Sequence, residues 1–206
     1  MEVAIRLLDS EGVQGLSVDR IASEIGVRGP SLYYYYADKA AILDAVATTI
    51  LSTFILDHRT DNWTDWMVEN AQELYRRVMA HPNVAHLLLE HMPPRAVTAG
   101  FGQGARMMTE VGIDPSLQLE LLQGVQHVAW GFILHRAVLT TNELLRAEPD
   151  RTRYPELAAA QRANRLSDEE LLDRATRAVI AGLLAAGPSR KATVRRKPSD
   201  DQRAAS

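Results

Sequence analysis

The sequence predicts an all-α protein: an N-terminal three-helix unit of helix-turn-helix type joined to a larger helical body. Apolar residues recur at helical spacing along most of the chain, while strand-like alternation is nearly absent. Glycine and proline fall mainly between the periodic segments. Near the N-terminus, two short periodic segments are joined by "GVRG" directly before Pro30, which is the size and breaker chemistry of a helix-turn-helix.

The first helix covers about residues 3–9 and stops near Gly12. The second carries Val18, Ile21, Ala22 and Ile25 at i, i+3, i+4 and i+7, behind Ser17 as N-cap. Gly26 supplies the positive φ of a sharp turn, and Val27 is placed to plug it. Pro30 opens the third helix, where its fixed φ and missing N–H suit the first turn. Leu32 and Tyr36, at i and i+4, share the inner face. Tyr33 and Tyr34 are then outward, and Tyr35 is open between the two fates.

The fourth helix follows Asp38 and runs to about residue 57. A fifth spans about 63–80, and a sixth about 83–91, stopped by Pro93 and Pro94. The seventh reaches residue 111, with Gly100, Gly102 and Gly104 leaving its start open. Asp114–Pro115 opens the eighth, which extends to about residue 147. After a polar, poorly periodic stretch, "SDEE" at 167–170 forms a capping box for the last helix, which Gly187 and Pro188 end. The remainder, "SRKATVRRKPSDDQRAAS", lacks apolar periodicity and reads as a disordered basic tail. The expected division is a small unit at 1–48, a body at 49–188 and the tail at 189–206.

Among the 206 residues, 46% are hydrophobic and 24% charged, ordinary values for a chain that buries a core. With no cysteine, disulfides, thiolate metal sites and cysteine nucleophiles are excluded, and a reducing cytoplasm is the expected location. The acidic opening residues do not form a signal peptide, and the longest apolar run, "VAWGFIL", is far too short to span a bilayer, so no membrane partner is expected. Net charge is −3, and residues 1–48 hold four Arg/Lys against seven Asp/Glu. Any contact with nucleic acid must therefore come from locally placed groups rather than a bulk positive field.

Outward tyrosines on a short helix suit a groove. The hydroxyl can bond a phosphate oxygen, and the ring can lie on sugar or a thymine methyl. Lys39 adds a charged phosphate contact. The alternative is packing against the fourth helix and the body. The stretch "GLSVDRIASEIGVRGPSLYYYYADKAAILDAVA" resembles the DNA-binding domain of the tetracycline-repressor (TetR) family of bacterial regulators. The family pattern appears here as Gly15, Ser17, Ile21–Ala22, Gly26–Val27, Leu32–Tyr33, Tyr34 to Tyr36, and Lys39. "WMVENAQELYRRVMAHP", "RMMTEVGID" and "GVQHVAWGFILHRAV" are similar in kind and spacing to the ligand-binding body of the tetracycline repressor subgroup.

The resemblance implies a ligand-responsive transcriptional repressor that binds a palindromic double-stranded operator and is released by a small apolar effector. It implies phosphate contacts from Ser17 and Lys39, and groove contacts from Arg28, Ser31, Tyr33 and Tyr34. Gly29 and Pro30 would let the backbone approach the bases. Family members usually carry several residues, often including Arg or Lys, ahead of the first helix, whereas this chain enters it almost at Met1. A misassigned start or a truncated chain would explain both this and the missing positive charge.

In the body, the candidate ligand contacts are Trp66, Asn70, Tyr75, Leu89, Met107, His127, Trp130 and His135. Aromatics and Met at helical spacing are more often plain core, and Trp130 and His127 stand out because a polar tip in the most apolar helix needs a reason. On an approximate alignment with the tetracycline repressor, Leu89 replaces the magnesium-binding histidine and His135 an acidic partner. Hard cations want oxygen donors, so a magnesium–tetracycline effector is not expected, and the resemblance brings no cofactor. His86 and His91, at i and i+5, spread around a helix, and no HEXXH pattern occurs, so no metal site is expected. Small residues in "ATRAVIAGLLAAG", with an eighth helix apolar nearly all round, predict a two-fold homodimer through the eighth and last helices. Two other readings stay open: a helical interaction protein that reads no DNA, and an α-helical enzyme with His127 or His135 as general base. The second lacks any nucleophile–base–orienter spacing, so no enzyme is expected.

Overall fold

The computed structural model describes residues 1–51, 60, 62–142 and 150–188. Among these, ten α-helices and one 3-10 turn follow in order, without a strand. Helix α1 (Glu2–Gly15) kinks at Gly12, whose φ of 67° is left-handed, and continues one turn beyond the predicted stop. Helix α2 (Val18–Glu24) begins at Ser17, whose Oγ accepts from the Arg20 N–H. Gly26, at φ 73°, turns the chain, and the Val27 N–H closes the turn on the Ala22 carbonyl at 2.9 Å. Two apolar expectations need correction here. Ile25 is 45% exposed and Val27 is 42% exposed. The helical geometry ends at Glu24, so Ile25 leaves the face that Val18, Ile21 and Ala22 bury.

Helix α3 (Gly29–Tyr33) is short, and α4 (Lys39–Leu51) runs without a break through the expected division at residue 48. Helices α5 (Trp63–Met79), α6 (Ala85–Glu90), α7 (Pro94–Glu110), α8 (Pro115–Thr141) and α10 (Asp168–Ala186) form the body, with a 3-10 turn at Pro82–Val84. The capping box at Ser167 and Glu170 is present. Helix α8 ends at Thr141, and residues 143–149, to which it was expected to extend, lie outside the described residues, as do the end expected for α4 and the tail from residue 189. Helix α9 (Pro155–Ala163) was not expected. It buries only Ala158, so its sequence carries almost no apolar stripe.

Helix α8 is the axis of the body and packs against α5, α6, α7 and α10. Leu121 and Ile133 on α8 are fully enclosed, with Leu88, Met108 and Leu172 from its neighbours. Burying an aliphatic side chain of this size contributes about 1.5–3 kcal/mol. The N-terminal helices join the body through α1 and α4, where Arg77 on α5 donates to the Ile50 carbonyl at 3.4 Å and two His–Asp links form. His81 Nδ1 lies 2.8 Å from Asp9 Oδ2, while the Asn83 side chain donates to the Asp9 carbonyl. His91 Nδ1 lies 2.5 Å from Asp44 Oδ1, linking the residue after α6 to α4.

Candidate nucleic-acid interface and internal cavity

The outward surface of the N-terminal unit is built around α3. Leu32 and Tyr36 pack against the core as predicted. The Tyr35 and Tyr36 N–H groups both bond the Leu32 carbonyl at 3.0 Å, which carries the coil one turn past Tyr33. That geometry leaves Tyr33 48%, Tyr34 85% and Tyr35 75% exposed. Tyr34 and Tyr35 meet edge to face, with ring centroids 5.2 Å apart. Tyr35, left open by the sequence, is thus as outward as its neighbours.

Arg28, Pro30 and Ser31 are exposed beside them. At Gly29 a Cβ would fall 2.9 Å from Asp19 Oδ1, so this position brings α3 close to α2. The Ser17 Oγ is engaged as an acceptor at the α2 cap, which leaves its O–H able to donate outward. Lys39 is half-buried, and its Nζ donates to the Val13 carbonyl at 2.5 Å. One of its three donors therefore ties α4 to the end of α1, and two remain. No side chain from the body covers the three exposed rings among the described residues.

A second concave feature lies inside the body, between α5, α7 and α8. It is a cavity of about 80 Å³. Trp66, Met67, Asn70, Ala71 and Leu74 line it from α5; Val97, Gly100 and Phe101 from α7; Leu122, Val125, Gln126 and Ala129 from α8. Met92, two residues past α6, completes the wall. No lining residue is ionisable. The Asn70 amide donates to the Trp66 carbonyl at 2.7 Å, and among the described residues Gln126 Nε2 has the Met92 sulfur at 3.7 Å as its one partner. Trp66 Nε1 is buried without a hydrogen-bond partner among the described residues.

Of the eight candidate ligand contacts, the cavity gathers Trp66 and Asn70. Met107 and Trp130 are buried in the core, at 5% exposure each, outside the lining. Leu89 is 39% exposed, and His127 and His135 stand exposed on α8. Tyr75 instead bonds Asp168 at 3.1 Å, and the same carboxylate oxygen lies 2.6 Å from Arg136 Nη2. Burial first, then the bond to Asp168, pushes the Tyr75 hydroxyl above its ordinary pKa. The cavity-facing stripe of α8 is 122, 125, 126 and 129, a spacing of i, i+3, i+4 and i+7, and His127 and His135 fall off it. That stripe and Gly100 in the glycine-rich start of α7 were signals in the sequence.

Among the described residues no group of three His, Asp or Glu could hold a metal ion, and no helix is long and apolar enough to cross a membrane.

Residues 1–46 match the model of the family described as bacterial regulatory proteins, tetR family. The chain is 28% identical over 167 residues to the tetracycline repressor protein class D of Escherichia coli, covering 78% of this chain and 75% of the relative. A variant TetR from Acinetobacter baumannii AYE, solved in complex with minocycline, superposes with a TM-score of 0.72 at 19% identity, covering 95% of this chain and 96% of that one. The Streptomyces coelicolor TetR family protein ActR, solved with (S)-DNPA, has a TM-score of 0.66 at 22% identity, covering 90% and 95%. At these identities the two structures speak for the fold.

Proposed function

We propose that the chain is a member of the TetR family of bacterial regulatory proteins, a reading supported by its match over residues 1–46 and its 28% identity to a tetracycline repressor, and that it is a ligand-responsive repressor whose paired α3 helices read a palindromic operator and which a small apolar effector releases. Its reading head is residues 1–48 and its effector-binding and dimerising body residues 49–188. The observation that carries this reading is the junction at His91 and Met92. Met92 lines the cavity, and the adjacent His91 grips Asp44 on α4, the helix behind the reading surface. Any dilation of the cavity is therefore felt one residue away from the head.

Ligand pockets measure about 300–1,000 Å³, so a cavity of about 80 Å³ must open to admit an effector. The form with the larger cavity is then the form the effector selects, and it shifts the head only by its differential affinity for the two forms. The lining supports an uncharged molecule, with Asn70, Gln126 and the Trp66 N–H as its few polar contacts. It offers no carboxylate or imidazole to a hard cation.

The outer faces of α8 and α10 support pairing with a second copy. Leu119 and Val138 on α8, and Leu171 and Leu184 on α10, are 52%, 49%, 38% and 39% exposed. Between them Gly131 and Gly182 are open, with nothing within 4 Å of an added Cβ. Small residues of this kind let helices of two copies approach closely. The function needs no catalytic step, and exposed His127 and His135 have no orienting partner among the described residues.

Selection of bound duplexes from a random pool, with the purified protein at moderate salt, tests the reading. The expected result is a palindrome with half-sites about one helical turn apart, bound at twice the chain mass. An unenriched pool would overturn it.

A further inference from the structure

The reading head is acidic, and two of its arginines are paired within the head. Arg6 Nη2 lies 2.9 Å from Glu24 Oε2. Arg20 Nη2 lies 3.4 Å from Glu11 Oε1 and 3.3 Å from Glu24 Oε1. Lys39 keeps its charge, with one of its three donors tethered to the Val13 carbonyl at 2.5 Å. Arg28 is the remaining arginine of residues 1–48, and among the described residues its side chain has neither ion pair nor hydrogen bond. Surface pairs like those of Arg6 and Arg20 hold their partners by only about 0–1 kcal/mol. Their consequence is on the field: each cancels a charge that would otherwise draw phosphate without regard to sequence.

The residues that follow narrow the choice further. Gly29 has no side chain, Pro30 has no N–H, and Ser31 is too short to reach far. Arg28 alone in this stretch carries a long, free, multi-donor fork, and it immediately precedes the helix whose outer face holds Tyr33 to Tyr35. A guanidinium matches the O6 and N7 acceptors of guanine in the major groove, the commonest specific side-chain contact to a base.

On the reading that this protein binds an operator, we infer that Arg28 is its principal base-reading residue and that each half-site carries one guanine which Arg28 recognises. The tyrosines beside it bear on sugar, phosphate and thymine methyl groups, and the head gains little affinity from phosphate contacts alone.

Parallel selections from a random duplex pool with the wild type, Arg28→Ala and Arg28→Lys test this. Arg28 is exposed and unpaired, so all three proteins are expected to melt alike. Wild type should enrich a palindrome with one guanine per half-site. Arg28→Ala should lose preference at that position while keeping the others, and bind the wild-type operator about 10- to 100-fold more weakly, the weight of a good bidentate pair. Arg28→Lys should retain part of the preference. Lys39→Ala should instead weaken all duplexes alike, with a shallower salt dependence. Two outcomes overturn the inference while leaving the operator reading intact: Arg28→Ala selecting the wild-type palindrome unchanged, or losing affinity evenly across sequences, which makes Arg28 a phosphate contact. No enrichment by the wild type sinks the operator reading itself.

Discussion

Tyr34 and Tyr35 of the reading head are 85% and 75% exposed, whereas Trp66 and Trp130 of the body are 4% and 5% exposed. The same class of side chain meets opposite fates within one small protein. In the head, rings with polar tips stand in water where a core residue would be wasted, and their partner must come from outside. In the body, the indole N–H groups of these two tryptophans are buried without an acceptor among the described residues. A buried unpaired donor costs about 1–3 kcal/mol, so at Trp66, which lines the cavity, an entering acceptor would recover part of that cost. Exposed rings on one side and an unmet donor on the other are the features on which the proposed DNA and effector contacts rest.

Substitutions can separate the two regions. The largest effect is expected for Leu121→Ala in the body. Leu121 is fully enclosed, and its truncation should cost about 2–5 kcal/mol, read as a lower urea midpoint. A smaller loss would mean that α8 can settle into the space left behind.

Gly104→Ala comes next. Its added Cβ would fall 2.7 Å from a Leu122 methyl carbon and 3.0 Å from the Trp66 ring, and both side chains wall the cavity. Overpacking of this kind costs about 1–3 kcal/mol. The variant should also lose its response to an effector while still binding operator, measured by tryptophan fluorescence beside a gel-shift titration. Undiminished effector binding would place the site elsewhere.

Tyr34→Ala should invert that pattern. Stability should change by less than about 0.5 kcal/mol, as for most surface substitutions. Operator affinity should fall about tenfold, roughly 1.4 kcal/mol. Equal DNA binding would return Tyr34 to mere surface.

The smallest effect is at the α10 cap, remote from both regions. Bonds from the Ser167 backbone N–H and then its hydroxyl hold the Glu170 carboxyl below its ordinary pKa. A folded-state pKa below the unfolded one means stability present above the unfolded value and lost as pH falls through the folded value. Urea stability measured down the acid range should decline slightly less steeply in Glu170→Gln, whose amide does not titrate. An identical acid slope would mean that the cap does not report on pH.

Much of this was legible along the chain because it rests on local rules. Ser17 as a cap, Gly26 at positive φ, Pro30 entering a helix and the Ser167 capping box each depend on neighbours within a few residues. The face shared by Leu32 and Tyr36 follows from helical periodicity in the same way. Ile25 and Val27 were misjudged because burial needs a partner from elsewhere, and the turn carries both away from it. Helix α9 escaped because a helix that buries only Ala158 prints almost no apolar stripe.

The cavity was less legible. Trp66 and Asn70 were foreseen, but the α8 stripe from Leu122 to Ala129 looks like any core-facing row until α5 and α7 leave space opposite it. The sequence by itself determined the apolar-striped helices, the caps at Ser17 and Ser167, the turn at Gly26 and the acidic balance of the head, since backbone sterics, periodicity and charge act locally. Only the tertiary structure decided which cations are spent on carboxylates, which face of α8 meets a void, and that His91 and Met92 hold head and cavity at once. Those depend on residues tens of positions apart arriving side by side, and no spacing along the chain encodes that meeting.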